Sequence, residues 1–477
     1  MSISAWFKRN LFLVSFVFLI GLIGFFFIIP FLKEQNFYRF LNKIQRSSDF
    51  IASELVVAAH YEGDADYLVD FNALKRIHPG SNFKLFTAAA ALRYLKPDFR
   101  FSTKLFRDGS DIVFVGGGDP SLQQKDFDEF IAAVKKSGKI RGTLYYDDSY
   151  FEGERYGPGW GHDWFDQYFA VPITALQIND NLLSILGLQN EKTKRFEITT
   201  SPLENYSPIV DRMEYFERPE QMKDAVTASL KDDGSIELRG DTMRLLPFQT
   251  SAVMKDPSRI TALVLKQQLV KAGLMQAQAP ASKFRKKSYG KLLAEHQSLP
   301  LKDLVYRMLK FSKNNYAETL VRTLGKEVVG GGSQQEGVEI LREFFDEVGI
   351  PEQEISPMDG SGLSPETRIS AAAILKLFVY VNAQPWKDVF WDALPESQVD
   401  GTLKQRFKNA GLHNRVIAKT GTHGFSSSLS GKILREGNGR DILFSIHVYN
   451  HHFSTEESVA RVIPVIDKIV TLLDRQF

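Results

Sequence analysis

"HPGSNFKLFTAAAALRYL", His78 to Leu95, decides how the chain is read. Pro79-Gly80 breaks the backbone, and Phe83 to Leu95 then reads as a helix rich in alanine. Small residues on every side suit a helix buried among neighbours. Positions i and i+3 of a helix share a face, so Lys84 comes near the hydroxyl of Ser81. A serine needs an adjacent base before it becomes a useful nucleophile. A lysine, with a pKa of about 10.4 in water, serves as that base only if its surroundings lower the value. Burial among alanines and a second nearby cation would do so. Taken alone, the pair also reads as a helix cap or a surface pair. It recurs at Ser288/Lys291 in "SYGK", which has no long apolar helix of its own.

Two more stretches bear on this pair. "KFSKNNYAETL" sets Ser312, Lys313 and Asn314 between two helical patterns. A Ser-x-Asn on a tight turn points a hydroxyl and an amide into one cleft; the alternative is an ordinary N-cap. "AKTGTHG", Ala418 to Gly424, puts a cation and hydroxyls on the rim of a strand. Gly421 there lets another backbone approach closely. If that strand is an edge, it can pair with an extended peptide. The alternative is a hairpin turn. Each motif is weak by itself, but Ser-x-x-Lys, Ser-x-Asn and Lys-Thr-Gly occur in that order. That is the motif set of penicillin-recognising serine acyl transferases.

Around these motifs the chain changes character. "ELVVAAHY" and "DYLVDFN" read as two strands, and residues 33–50 as a polar, partly helical stalk. From about 100 to 285, short alternating runs such as "STKLF", "DIVFVGGG", "RFEITTS" and "SIELRGD" predict a β-rich region with few long helices. Helical patterns then return, one of them stopping at Gly325. "RVIAKTGT", "SSSLSGKIL" and "DILFSIHVYN" read as successive strands. The last helix opens on a Ser454/Glu457 capping box. The fold class expected is therefore α/β and multi-domain, with a β-rich insertion.

The chain has 477 residues, 43% hydrophobic and 24% charged, with a net charge of +2. Several domains with real cores are expected. The one dense basic run, "KFRKK" (Lys283 to Lys287), is short and reads as a solvated face, so no nucleic-acid partner is expected. Without cysteine, disulfides and thiolate chemistry are excluded. Leu11 to Leu32 carries no charge and reaches about 33 Å as a helix, enough to cross a bilayer. Lys8 and Arg9 precede it, which keeps its N-terminal end cytoplasmic and everything after Leu32 outside. The rival reading is a cleaved signal peptide, against which stand the length of the run and the missing small-x-small site.

The chain resembles the D-alanyl-D-alanine carboxypeptidase/endopeptidase family of low-molecular-mass class C penicillin-binding proteins, serine peptidase family S13. "HPGSNFKLFTAAAAL" resembles the family's Pro-Ala-Ser-x-x-Lys-Leu helix, with Gly80 in place of the usual alanine. "FVGGGDPSL", "GPGWGHDWFDQY", "MDGSGLSPETRIS" and "DGTLKQRF" match further family stretches. The resemblance implies a penicillin-binding/transpeptidase-like α/β domain over 45–100 and 286–477. A β-rich insertion of two subdomains would occupy 101–285; the transmembrane helix read over 11–32 is less typical of the family, many of whose members are simply exported. It implies an acyl-enzyme on Ser81 formed from a D-Ala-D-Ala peptide, with Lys84 as base and Ser312 relaying a proton to the leaving D-alanine. The backbone N–H groups of Ser81 and Thr422 would form an oxyanion hole. Asn314 would hold the substrate's amide, Lys419 would tune the electrostatics, and Thr420 and Thr422 beside Gly421 would bind the terminal carboxylate. In members that cleave diamino-acid peptides, a Trp-x-x-Asp in the insertion recognises a free amine; Trp160, Asp163 and Tyr168 are the counterparts here. An aromatic wall with one carboxylate suits an ammonium group.

The partners implied are peptidoglycan stem peptides, β-lactam antibiotics and the bacterial cytoplasmic membrane, with the catalytic region on its outer side. No metal or cofactor is implied. The competing readings are a β-lactamase or esterase-like hydrolase of the same fold and a non-catalytic cell-wall scaffold. "VGGGDP" lacks the Gly-Lys-Ser/Thr of a phosphate loop and reads as a turn. The adjacent histidines of "NHHF" lack metal-ligand spacing. Asp147-Asp148 reads as turn residues.

Overall fold

The computed structural model describes residues 29–477 apart from 65, 191, 193–195, 205–206, 244–245, 284–288 and 438. The expected membrane helix over 11–32 therefore lies almost wholly outside the described residues, as do most of "KFRKK" and Ser288. Among the described residues no helix is long and apolar enough to cross a membrane. The fold is mixed α/β and divides into two compact units. One comprises 29–80, 369–379 and 395–477; the other comprises 81–368 and 380–394.

The first unit is built on a five-stranded antiparallel sheet. Its order is Val416–His423, Ser426–Ile433, Ile442–Tyr449, Glu54–Tyr61, Val69–Phe71. The strands expected from "RVIAKTGT", "SSSLSGKIL" and "DILFSIHVYN" appear within a residue or two of those bounds. Helix Thr455–Gln476 closes one face, burying Val462, Ile466, Ile469, Val470 and Leu473 on a helical period. Ser454 and Glu457 cap it reciprocally, as the sequence predicts. The expected stalk is instead part of this core. Helix Ile29–Gln45 buries Phe37 and Leu41 completely, and the Tyr38 hydroxyl accepts from the Asp70 amide at 2.8 Å. Tyr38, Phe40 and Ile44 of the same helix pack against this core as well.

The second unit joins a helical layer to the insertion. Helix Lys84–Tyr94 packs against Leu301–Lys310, Asn314–Leu324 and Gln334–Val348. Lys84 through Leu92 are all buried, as a helix of small residues requires. Gly325 does not stop its helix. The chain continues through a wider turn, Gly325–Val329, and ends at Gly330 with φ +86°. Gly325 is small because Gln334–Val348 passes close by: a Cβ there would lie 2.9 Å from the Gly337 nitrogen.

The insertion is β-rich, with a five-stranded mixed sheet in the order Ala281–Lys283, Leu144–Asp147, Asp111–Val115, Ser102–Asp108, Lys291–Gln297. Smaller sheets lie between 182 and 253, and one apolar core runs through both parts. Two boundaries differ from expectation. Lys291–Gln297 pairs antiparallel with Ser102–Asp108, so the insertion reaches Gln297 rather than ending at 285. The helices flanking the insertion also belong with it rather than with the sheet that carries Lys419. Buried polar ties explain why: Gln177 Nε2 donates to Thr319 Oγ1 at 3.2 Å, and the Arg322 guanidinium donates to the Glu152 carbonyl at 3.1 Å. Helix Pro257–Lys271, capped by Asp256 with Pro257 at its first turn, was hidden among the strand patterns.

Candidate active site

Ser81 lies in a single 3-10 turn, Gly80–Phe83, which runs directly into helix Lys84–Tyr94. This turn places Lys84 Nζ 2.8 Å from Ser81 Oγ. The amine also donates to the Ser361 carbonyl at 2.9 Å, and the lysine is fully buried. Burial pushes its pKa down to about 7, against the pull of Asp359 and Glu318, which favour the charged form. The expectation of a second cation is thus corrected within this unit. The charges acting on Lys84 there are two carboxylates, and desolvation alone does the lowering.

Those carboxylates carry no local signature in the sequence, and they build the wall beside Lys84. Asp359 accepts from the amides of Gly362 at 2.9 Å and Ser364 at 2.7 Å, and from Thr367 Oγ1 at 3.2 Å. Glu318, fully buried on helix Asn314–Leu324, accepts from the Ser361 amide at 2.7 Å, the Gly360 amide at 3.1 Å and Gln334 Nε2 at 2.8 Å. Burial, and then the nearby charge of Asp359, raise the pKa of Glu318. The loop from Asp359 to Ser364 is therefore laced from both sides. Its Ser361 carbonyl is held where Lys84 needs an acceptor. Thr87, one turn after Lys84, ties into the same loop through the Gly360 carbonyl at 2.6 Å.

Ser312 sits on the turn between Leu301–Lys310 and Asn314–Leu324 with φ +58°. A non-glycine residue rarely adopts this left-handed conformation, and such strain gathers at functional turns. Asn314 does not cap its helix through its side chain. Its Nδ2 donates to the Phe169 carbonyl at 2.8 Å, tying the turn to the loop that carries the expected amine-binding residues. Of those, Trp160 is buried and its Nε1 donates to Asp359 at 3.0 Å, which braces the wall beside Lys84. Asp163 and Tyr168 are exposed.

The Lys-Thr-Gly strand, Val416–His423, is the edge of the sheet in the other unit. Lys419 is fully buried there, its Nζ donating to the Thr420 carbonyl at 2.7 Å. Thr420 Oγ1 donates to Thr402 Oγ1 at 2.9 Å, which gives the "DGTLKQRF" stretch a place beside the strand. Gly80, at φ +54°, lies against Gly421 and Thr422; a Cβ there would sit 3.1 Å from the Thr422 nitrogen and 3.3 Å from the Gly421 carbonyl carbon. A left-handed backbone in a close approach explains why a glycine stands at position 80. His451 and His452 lie in a loop. Asp147 ends a strand, with its carboxylate accepting from the Ser149 amide. Among the described residues no cluster of three or more His, Cys, Asp or Glu could hold a metal ion.

The model of the D-Ala-D-Ala carboxypeptidase 3 (S13) family matches residues 44–473. A D-alanyl-D-alanine carboxypeptidase of Actinomadura sp. (strain R39) is 28% identical over 416 residues, covering 79% of this chain and 74% of that one. The D-alanyl-D-alanine carboxypeptidase DacB of Haemophilus influenzae is 25% identical over 413 residues, covering 84% and 86%. In fold, the chain is similar to the crystal structure of penicillin binding protein 4 from Haemophilus influenzae. That match has a TM-score of 0.78 at 24% identity and covers 92% of this chain and 99% of that one.

Proposed function

Because the chain belongs to the D-Ala-D-Ala carboxypeptidase 3 (S13) family, we propose that it is a serine D-Ala-D-Ala carboxypeptidase, with endopeptidase action as a second capacity, working on the stem peptides of bacterial peptidoglycan. The observation that carries this is the buried Lys84 amine, 2.8 Å from Ser81 Oγ and with its pKa lowered to about 7. A neutral amine at that distance takes the hydroxyl proton as Ser81 Oγ bonds to the carbonyl carbon between the two D-alanines. The C–N bond then breaks, and the leaving D-alanine nitrogen takes up a proton, relayed by Ser312. Water next hydrolyses the acyl-enzyme and restores the hydroxyl. Asn314 holds the substrate's amide, Lys419 tunes the field, and Thr420 and Thr422, either side of Gly421, bind the terminal carboxylate. A β-lactam would acylate the same serine and leave it slowly.

The direct test is D-alanine release from a synthetic peptide ending in D-Ala-D-Ala. Release that vanishes with Ser81→Ala supports the reading, and no release from the unsubstituted chain contradicts it.

Two further assignments complete the proposal. Asp163 and Tyr168, exposed on the loop held by Asn314, recognise a free side-chain amine on the stem peptide. Asp163→Ala should weaken cleavage of a free-amine peptide about fivefold to tenfold while sparing its acetylated counterpart, in keeping with a partly exposed charge pair. Equal loss on both peptides would sink the assignment. The uncharged run Leu11 to Leu32, preceded by Lys8 and Arg9, anchors the chain in the cytoplasmic membrane with its catalytic residues outside. Carbonate-resistant membrane association of the full chain, lost when 1–32 are removed, tests this.

A further inference from the structure

Strand Ser426–Ile433 carries serines at 426, 427, 428 and 430, and all four are buried. Core strands are usually filled by β-branched side chains. A buried hydroxyl is costly unless it is hydrogen-bonded, so each of these needs a partner. Ser430 and Ser445 bond to each other at 2.9 Å. Ser427 faces away, 3.4 Å from His451 Nε2. Ser426 and Ser428, two apart and therefore on one face, do something else. Ser426 Oγ donates to the His78 carbonyl at 2.7 Å, and Ser428 Oγ donates to the Pro79 carbonyl at 2.8 Å.

One strand thus grips two successive carbonyls just ahead of Ser81. The rest of the approach is equally fixed. Pro79 has a locked φ. The Gly80 amide donates to His78 Nδ1 at 3.2 Å, and the His78 ring lies 4.6 Å from that of His423 and 5.2 Å from that of Phe425. Gly80 is seated against Gly421 and Thr422, and Ser81 is the next residue.

We propose that Ser426 and Ser428 are positioning residues for Ser81. Their hydroxyls fix the carbonyls of His78 and Pro79, and so set where the turn Gly80–Phe83 begins and where its serine hydroxyl is held. The proposal rests on Ser81 being the nucleophile. Misplacing a reacting atom by about 1 Å costs on the order of 10²-fold in rate, so a clamp acting two residues away has leverage over acylation.

The test separates binding from acylation. The probe is benzylpenicillin, with its non-covalent dissociation constant and its acylation rate constant measured independently. The variants are Ser426→Ala, Ser428→Ala, the double variant and Ser427→Ala. The double variant should acylate about 10–100-fold more slowly with little change in the dissociation constant. Ser427→Ala also empties a buried polar position, but it should acylate close to the native rate. Comparable melting temperatures for Ser427→Ala and the single variants would show that lost stability is not the cause. A double variant no slower than Ser427→Ala, or one impaired only in binding, overturns the clamp. If the unsubstituted chain forms no adduct, the assignment of Ser81 fails and the clamp with it. A normal adduct there, with an unimpaired double variant, overturns the clamp alone.

Discussion

Lys84→Ala should slow acylation of Ser81 by a penicillin about 10²–10⁴-fold, the usual worth of a positioned general base. The loss should fall on the acylation step, because the amine touches the reacting hydroxyl and the Ser361 carbonyl. The pH profile of the intact chain supplies the sign. Burial lowers the Lys84 pKa to about 7, opposed by Asp359 and Glu318, the charged groups that act on it within its own unit. Only the neutral amine accepts a proton. The rate should therefore fall about tenfold per pH unit below 7 and level off above it. Stopped-flow acylation between pH 5 and 9 reads this directly. A limb that starts to rise only near 10 would mean that Lys84 keeps its ordinary affinity and is not the base.

The second large effect belongs to Glu318. Its carboxylate holds the amides of Gly360 and Ser361 and the side-chain amide of Gln334, all in a buried setting. Glu318→Ala strands those donors, and a buried donor without a partner costs about 1–3 kcal/mol. A stability loss on the order of 4 kcal/mol is expected after relaxation, read as a lower denaturant midpoint for the unit that contains it. Acylation should fall as well, since the Ser361 carbonyl would no longer be fixed for Lys84. Glu318→Gln separates the two roles. It keeps the size and removes a charge that favours protonated Lys84; because burial and then Asp359 raise the Glu318 pKa to about 7, that charge is only partly present there, and the acid limb should move modestly to lower pH. An unchanged limb with unchanged stability would show that Glu318 is an ordinary buried acid.

Much of this was readable from residue order, and the exceptions share one cause. The Ser81/Lys84 pair, the Ser312 turn and the Lys419 strand follow from local pattern, and so do the capping box at Ser454 and the three C-terminal strands. What stayed hidden depends on partners far away in sequence. Nothing local shows that the Trp160 N–H is taken by Asp359, 199 residues on. Glu318 looked like any acid on an amphipathic helix until its burial was known. The end of the insertion is hard to read because Lys291–Gln297 alternates weakly, and its pairing with Ser102–Asp108 is non-local. Gly80 needed the third dimension too, since its reason is a strand more than three hundred residues later. Phe37 and Leu41 show the same limit in a helix whose remaining residues are mostly polar.

The central claim is that Ser81 is the acylated nucleophile, activated by Lys84. Incubating the chain with benzylpenicillin, digesting it and locating the adduct by mass spectrometry tests that claim most directly. The account predicts one penicilloyl group, on Ser81, absent from Ser81→Ala and slow to appear in Lys84→Ala. An adduct on Ser312 or any other residue, or none on the intact folded chain, would contradict it.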